Sequence, residues 1–280
     1  MPDNPGGALE PEFDWRWADD EEAWVPSSID TTVPSVARMY DYYLGGKDNF
    51  EIDRTAAGKV LEQAPDSRFV ALANRGFLAA AIETMTAAGI RQFIDFGTGI
   101  PTSPNVHQLA RVNQPGARVV YLDNDPVVLV HSRALLAGDE GVAVIQHDLR
   151  EPAEVLADPQ LRRLIDPSEP VGLLFVAVLH FVRHDIAPEI VSQYGDAAPP
   201  GSMIAVSAAC RDGLDPELVR KIEEQYGAAS APLVFRTKAQ IEELFDGYTL
   251  LEQGLTTLSR WREDSGSGGS GALCGVARRR

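Results

Sequence analysis

Gln92-Phe93-Ile94-Asp95-Phe96-Gly97-Thr98-Gly99-Ile100-Pro101-Thr102 decides the architecture of this chain. Five residues of strand character run into a Gly-x-Gly turn, and Ser103-Pro104 follows with Ser as helix cap and Pro in the first turn. Strand, glycine turn and helix in that order open a β-α unit, the building block of a parallel sheet. Glycines at i and i+2 let the backbone turn tightly and approach a ligand closely. The loop suits a nucleotide-type cradle, and it equally suits a plain strand-to-helix turn.

Toward the C-terminus the unit repeats. Residues 118–122 read as the second strand, and Asp125-Pro126 starts the next helix by the same device. Residues 142–147 form a third strand, and Asp158-Pro159 opens a short helix. Residues 171–179 are nearly all apolar, as expected of a central parallel strand covered on both faces. A fifth strand covers 203–208, Asp215-Pro216 caps a further helix, and Thr237 with Gln240 makes a capping box for 238–245. Segments 248–259 and 272–277 are extended and joined by the Gly/Ser stretch 264–271, which suits an antiparallel hairpin. Five β-α alternations and a hairpin predict an α/β, doubly wound sheet with right-handed crossovers over 91–280.

Before residue 90 the pattern is helical. Thr32 then Pro34 open a helix with Val36, Met39, Tyr40, Tyr43 and Leu44 on its apolar side, stopped by Gly45-Gly46. Further helices are predicted over 51–63 and 67–88, so 29–90 reads as a helical cover. Residues 1–28 read as an acidic, mobile tail in which Trp15, Trp17 and Trp24 could dock on the body.

The chain has 280 residues, 44% hydrophobic and 24% charged, a globular composition. No apolar run approaches the roughly 20 residues of a membrane span, and Met1-Pro2-Asp3-Asn4 does not resemble the start of a signal peptide. Two cysteines, Cys210 and Cys274, exclude a disulfide framework or a Cys-based zinc site. A reducing cytoplasm is the expected compartment. The net charge is −16, and residues 1–30 carry −8 of it through nine acids against Arg16. That field repels a phosphate backbone, so nucleic acid is not an expected partner, and it leans toward a neutral or cationic small molecule.

In such sheets ligands bind beyond the carboxyl ends of the strands. Asp123 ends the second strand 24 residues after Gly99, placed to accept two hydrogen bonds from a ribose diol. Asp125 is explained as the cap before Pro126, whereas Asp123 has no such role. Asp148 ends the third strand; it could accept from an adenine amine while Leu149 packs on the ring, or be an exposed turn aspartate. A nicotinamide fingerprint would need Gly or Ala where Thr102 stands.

The order Asp95-x-Gly97-x-Gly99, Asp123, Asp148-Leu149 and an apolar fourth strand resembles class I S-adenosylmethionine-dependent methyltransferases. With Ala37-Arg38-Met-Tyr40-Asp41-Tyr42-Tyr-Leu44-Gly45-Gly46-Lys47-Asp48-Asn49-Phe50, Asn74-Arg75-Gly-Phe77-Leu78 and Phe235-Arg236-Thr237, the chain from about Ile29 onward is similar to one bacterial, mainly actinobacterial, methyltransferase-like family long catalogued as a domain of unknown function. The resemblance implies a doubly wound, Rossmann-like class I methyltransferase sheet of seven strands, the last antiparallel, with the N-terminal helices as a cover. It implies that Asp95, Gly97, Thr98 and Gly99 lie at the methionine end of the cofactor, that Asp123 holds the ribose, and that Asn124, Asp148 and Leu149 surround the adenine. Ala177 to His180 would face the sulfonium and the acceptor.

Lys47, Asp48 and Asn49 would belong to the lid near the cofactor's amino-acid end, or else form a polar turn after a helix cap. Gly45-Gly46-Lys47-Asp48 is not a phosphate loop, because Asp41 and Asp48 occupy positions needing Gly and Ser/Thr. Arg75 could pair with the cofactor carboxylate or be a solvated helix residue. His180 is the candidate general base, at a usual pKa near 6.5, or a structural loop histidine. A metal at His180 and His184 would need a third ligand, and Asp185 is better used as the next helix's cap; no metal is expected. The expectation is methyl transfer to a small-molecule acceptor. A cofactor-binding sensor without turnover and an NAD-dependent oxidoreductase compete with it.

Overall fold

The computed structural model describes residues 30–136, 138–262 and 271–280. The tail with its three tryptophans, and the loop expected over 264–271 except Gly271, lie outside them. Three helices come first, α1 (Val36–Tyr43), α2 (Glu51–Gln63) and α3 (Ser67–Ala87). Strands and helices then alternate: β1 (Gln92–Phe96), α4 (Val106–Asn113), β2 (Arg118–Asp123), α5 (Pro126–Leu136), β3 (Val142–Gln146), α6 (Pro152–Ala157), α7 (Pro159–Leu164) and β4 (Gly172–Val176). After these come α8 (Ala187–Ala197), β5 (Met203–Ala209), α9 (Pro216–Tyr226), α10 (Lys238–Glu242), β6 (Tyr248–Leu250), β7 (Thr256–Thr257) and β8 (Ala272–Arg279).

One sheet results, in the order β3-β2-β1-β4-β5-β8-β6, with the two-residue β7 pairing on β8. β1 to β5 are mutually parallel, and β8 runs antiparallel to β5, β6 and β7. The expected hairpin therefore forms, but its second arm inserts between β5 and β6. β1 and β5 are buried at every position, although β1 carries Gln92 and Asp95 and β5 carries Ser207; the nearly unbroken apolar run is that of β4. Alternate residues serve opposite faces. Ile94, Leu122, Ile145 and Phe175 pack with Tyr194 of α8, whereas Phe93, Val119, Val144 and Leu174 pack with Phe77, Ile82 and Met85 of α3. Phe96 stacks on Phe175 at 4.3 Å between centroids.

A third core lies in the helical cover. Met39, Tyr43, Ala57 and Val60 close on Val219, Ile222 and Tyr226 of α9 and on Phe235, so the cover draws on residues far beyond 90. Its polar anchor is Asp53, fully buried, which accepts from Ser35 N (2.8 Å), Arg38 Nε (2.7 Å) and Phe50 N (2.8 Å). Ser35 Oγ in turn donates to Asp125 Oδ2 at 2.6 Å, tying the start of α1 to the loop after β2.

Several boundaries differ from the sequence expectation. Residue Asn105, not Ser103, precedes α4; its N–H is held by Gln108 Oε1 at 2.7 Å, and the Ser103–Pro104 peptide is cis. β4 stops at Val176, because Ala177 takes a left-handed φ of 57° before a 3-10 turn over Leu179–Phe181. Asp185 does not cap α8; Ile186 holds that position, and Asp185 pairs with Arg183 in solvent. Among the described residues no helix is long and apolar enough to cross a membrane.

Candidate functional site

The carboxyl ends of β1, β2 and β4 converge on the glycine turn. Gly97 N and Thr98 N both donate to Leu122 O, at 2.8 and 3.2 Å, which locks the turn onto the end of β2. Gly97 (φ 66°) and Gly99 (φ 64°) sit in the left-handed region, where only glycine is free of strain. The two have different surroundings. A Cβ at Gly97 would lie 2.3 Å from Val178 Cγ2, whereas one at Gly99 would meet nothing within 4 Å. Gly97 is needed for close packing of two loops; Gly99 borders open space.

Two carboxylates line that space. Asp123 Oδ2 accepts from Gly99 N and Oδ1 from Asp125 N, both at 2.9 Å, and the carboxylate also accepts from Asn124 N, which leaves part of its acceptor capacity for a ligand. Asp95 Oδ2 accepts from Thr98 Oγ1 at 2.9 Å. Burial pushes both carboxyls up to about 6, against the hydrogen bonds they accept, and the neighbouring Asp123 charge adds to the rise at Asp95. Arg75 reaches the same region from α3. Its Nη2 donates to Thr102 O and Pro104 O at 2.7 Å each, so it ties α3 to the loop after β1, and its charge works against the rise at Asp95.

Asp148 stands at the end of β3, gripped by Arg150 N and Nε at 2.9 Å and bonded by the Asn124 amide. The Arg150 guanidinium holds its carboxyl below the usual range. Leu149 is buried beside it. Asn124, Asp148 and Leu149 are thus brought together, next to Asp123 in sequence and sheet.

Lys47 is exposed, whereas Asn49 is buried. Asn49 Nδ2 donates to Asp41 Oδ2 (2.7 Å) and Gly46 O (3.1 Å), and Oδ1 accepts from Arg54 Nη1 (3.2 Å). The amide is spent within its own turn, so of the two roles open to it the structural one is built.

Ala177 is held by a chain of hydrogen bonds that sequence reading missed. Its N–H donates to Ser207 Oγ (2.9 Å), Ser207 Oγ donates to Asn74 Oδ1 (2.5 Å), and Asn74 Nδ2 donates to Tyr40 OH (3.0 Å). β5, α3 and α1 are coupled to one left-handed residue at the tip of β4. The available signal was Ser207, a hydroxyl amid the apolar run Met203–Ala209.

His180 has surroundings that only the fold assembles. It lies on the 3-10 turn after β4, half-buried, with Nδ1 buried and lacking a partner. Burial, reinforced by the Arg236 charge, depresses its pKa to about 3. It is neutral at physiological pH and is not a base with the ordinary value near 6.5. His184 is on the following turn, so no helix face joins the two histidines.

An apolar cavity of about 400 Å³ lies elsewhere, lined by Leu161, Ile165, Val171, Leu173, Tyr194 and Pro199 toward the amino ends of β4 and β5. It is remote from the converging polar groups.

This strand order, with β8 reversed and a glycine turn and acids at the carboxyl edge, defines a class I methyltransferase fold. Magnesium protoporphyrin IX methyltransferase from Synechocystis PCC 6803, solved with bound S-adenosylhomocysteine, shares it at a TM-score of 0.50 and 14% identity, over 86% of this chain and 93% of that one. The S-adenosyl methyltransferase family model matches residues 22–280, and the chain belongs to that family, whose methyl donor is S-adenosylmethionine. A candidate methyltransferase from Thermobifida fusca YX is 36% identical with a TM-score of 0.86, over 92% of this chain and 99% of that one. A DUF574 family protein from Streptomyces avermitilis MA-4680 is 37% identical with a TM-score of 0.84, over 90% and 99%. No curated protein matches the chain.

Proposed function

We propose that this methyltransferase acts on a small-molecule acceptor by in-line displacement, with the acceptor held between the tip of β4 and the helical cover. The observation that carries this reading is Asp123: a buried carboxylate with acceptor capacity left over, bonded to Gly99 where the turn opens onto space. A ribose diol would donate to such a carboxylate. Asn124 and Asp148 would bind the adenine edge and Leu149 its face. The Gly97-Thr98-Gly99 backbone would run beneath the methionine portion, with Asp95, Arg75 and Lys47 around its charged end.

When bound, S-adenosylmethionine supplies a methyl group on a sulfonium, already activated for transfer. The chain's own task is alignment and exclusion of water. Ala177, fixed by Ser207, sets the floor where the acceptor approaches, and the Ser35–Asp125 bond holds the cover over the loop after β2. His180, held neutral, offers Nδ1 as a hydrogen-bonding group rather than a charge.

Calorimetric titration with S-adenosylhomocysteine, beside NAD and an Asp123→Ala variant, tests this reading. Two hydrogen bonds to a carboxylate are worth roughly 1.5–3 kcal/mol each, so the variant should bind at least 100-fold more weakly and NAD should not bind. Equal affinity of variant and wild type would remove Asp123 from the site.

A further inference from the structure

Among the described residues five buried side-chain polar atoms lack a hydrogen-bond partner, and three of them are His180 Nδ1, Arg236 Nε and Arg236 Nη1. The two residues bracket the same turn. Val234 N donates to His180 O at 2.8 Å, Arg236 N to Ala209 O at 3.0 Å, and Arg236 Nη2 to Val182 O at 2.5 Å. They therefore sit where β4 and β5 end, on the side where the acceptor is placed above.

Arg236 is completely buried. Among the described residues no carboxylate forms an ion pair with it, and burial alone pulls its pKa down to about 10. Its Nε and Nη1 carry three N–H bonds between them with no acceptor. A buried guanidinium without a counter-charge is strongly disfavoured. The other well-buried arginine shows the usual remedy: Arg38 is paired with Asp53 at 2.7 Å. Folds keep such uncompensated groups at functional sites, where a ligand completes them.

We propose that the methyl acceptor carries a carboxylate, which is bound by Arg236 beside His180. This deepens the function proposed above and rests on it. The negative net charge leans toward neutral or cationic acceptors, but salt screens that field over about 8–10 Å, and a desolvated guanidinium in contact outweighs it. His180 and Phe181 are only half-buried, with ring centroids 4.5 Å apart, and binding requires their side chains to move to admit the group. His180 Nδ1 then has a partner as well, either the carboxylate or the acceptor atom next to it.

The test uses the full chain saturated with S-adenosylhomocysteine. Acetate and benzoate are compared with acetamide and benzamide, at ionic strength held constant with chloride, by thermal shift and calorimetry. The expected result is binding of each carboxylate at least tenfold tighter than its amide, abolished in Arg236→Gln and partly retained in Arg236→Lys. A wild-type protein that does not distinguish carboxylates from amides overturns the proposal without recourse to any variant. Carboxylate binding that persists in Arg236→Gln overturns it too, by placing the anion elsewhere. Failure of S-adenosylhomocysteine to bind would instead sink the cofactor site, and is scored separately in the first titration.

Discussion

Replacing either glycine of the β1 turn by alanine adds one methyl group, yet the two variants should fail in different ways. At Gly97 the residue has φ 66° and its new Cβ would lie 2.3 Å from Val178 Cγ2 and 2.9 Å from Val178 Cβ. A left-handed non-glycine residue costs about 1–2 kcal/mol, and overpacking a core contact adds roughly 1–3 kcal/mol. Gly97→Ala should therefore lose about 3 kcal/mol, or roughly 6–12 °C in Tm for a chain of this size. At Gly99 the backbone strain is similar, but nothing stands within 4 Å. Gly99→Ala should lose only about 1–2 kcal/mol, while its methyl group fills the space assigned to the cofactor. Urea denaturation and calorimetry with S-adenosylhomocysteine separate the two effects. Gly99→Ala should weaken binding at least tenfold at a modest cost in stability. If it binds like wild type, or if Gly97→Ala is as stable as wild type, the assignment of packing to one glycine and ligand space to the other is wrong.

Asp95 and Asp123 are pushed from 3.8 to about 6 in the fold, so between those values the folded chain holds more protons than the unfolded one. Their contribution to stability falls as pH rises through that window; binding to the ionised Asp123 should run the other way, with S-adenosylhomocysteine affinity dropping as pH falls below about 6 in a calorimetric pH series. Asp53→Ala removes the buried acceptor shared by Arg38, Ser35 N and Phe50 N and should cost about 3–5 kcal/mol, read by urea denaturation, with faster amide exchange in α1 and α2 but not in β1 to β5. Ser207→Ala leaves Ala177 N–H and Asn74 Oδ1 without partners, for a loss of about 2 kcal/mol, which Ser207→Thr should largely restore if the hydroxyl is what matters.

Much of this architecture was legible because its causes are local. The capping chemistry of Asp158-Pro159, Asp215-Pro216 and Thr237/Gln240 depends on neighbours within three residues, and all three start helices as expected. The central strand β4 announced itself through a nearly unbroken apolar run. Where local signals competed, the outcome shifted: Ser103-Pro104 has the form of a cap, yet Asn105 precedes the helix. Val176 and Leu179 belong to one apolar stretch, but the left-handed Ala177 between them ends the strand, held by a Ser207 hydroxyl thirty positions away.

By itself the sequence determined the class of fold, the glycine turn and the acids at strand ends, since each follows from periodicity, capping and position along a β-α unit. Tertiary structure decided how those groups behave. Asp123 and Asp95 owe their raised pKa values to burial that only the assembled sheet and cover provide. His180 is held neutral by burial first, reinforced by the charge of Arg236, 56 positions later in the chain. Desolvation and long-range charge are properties of packing, and a linear pattern carries neither.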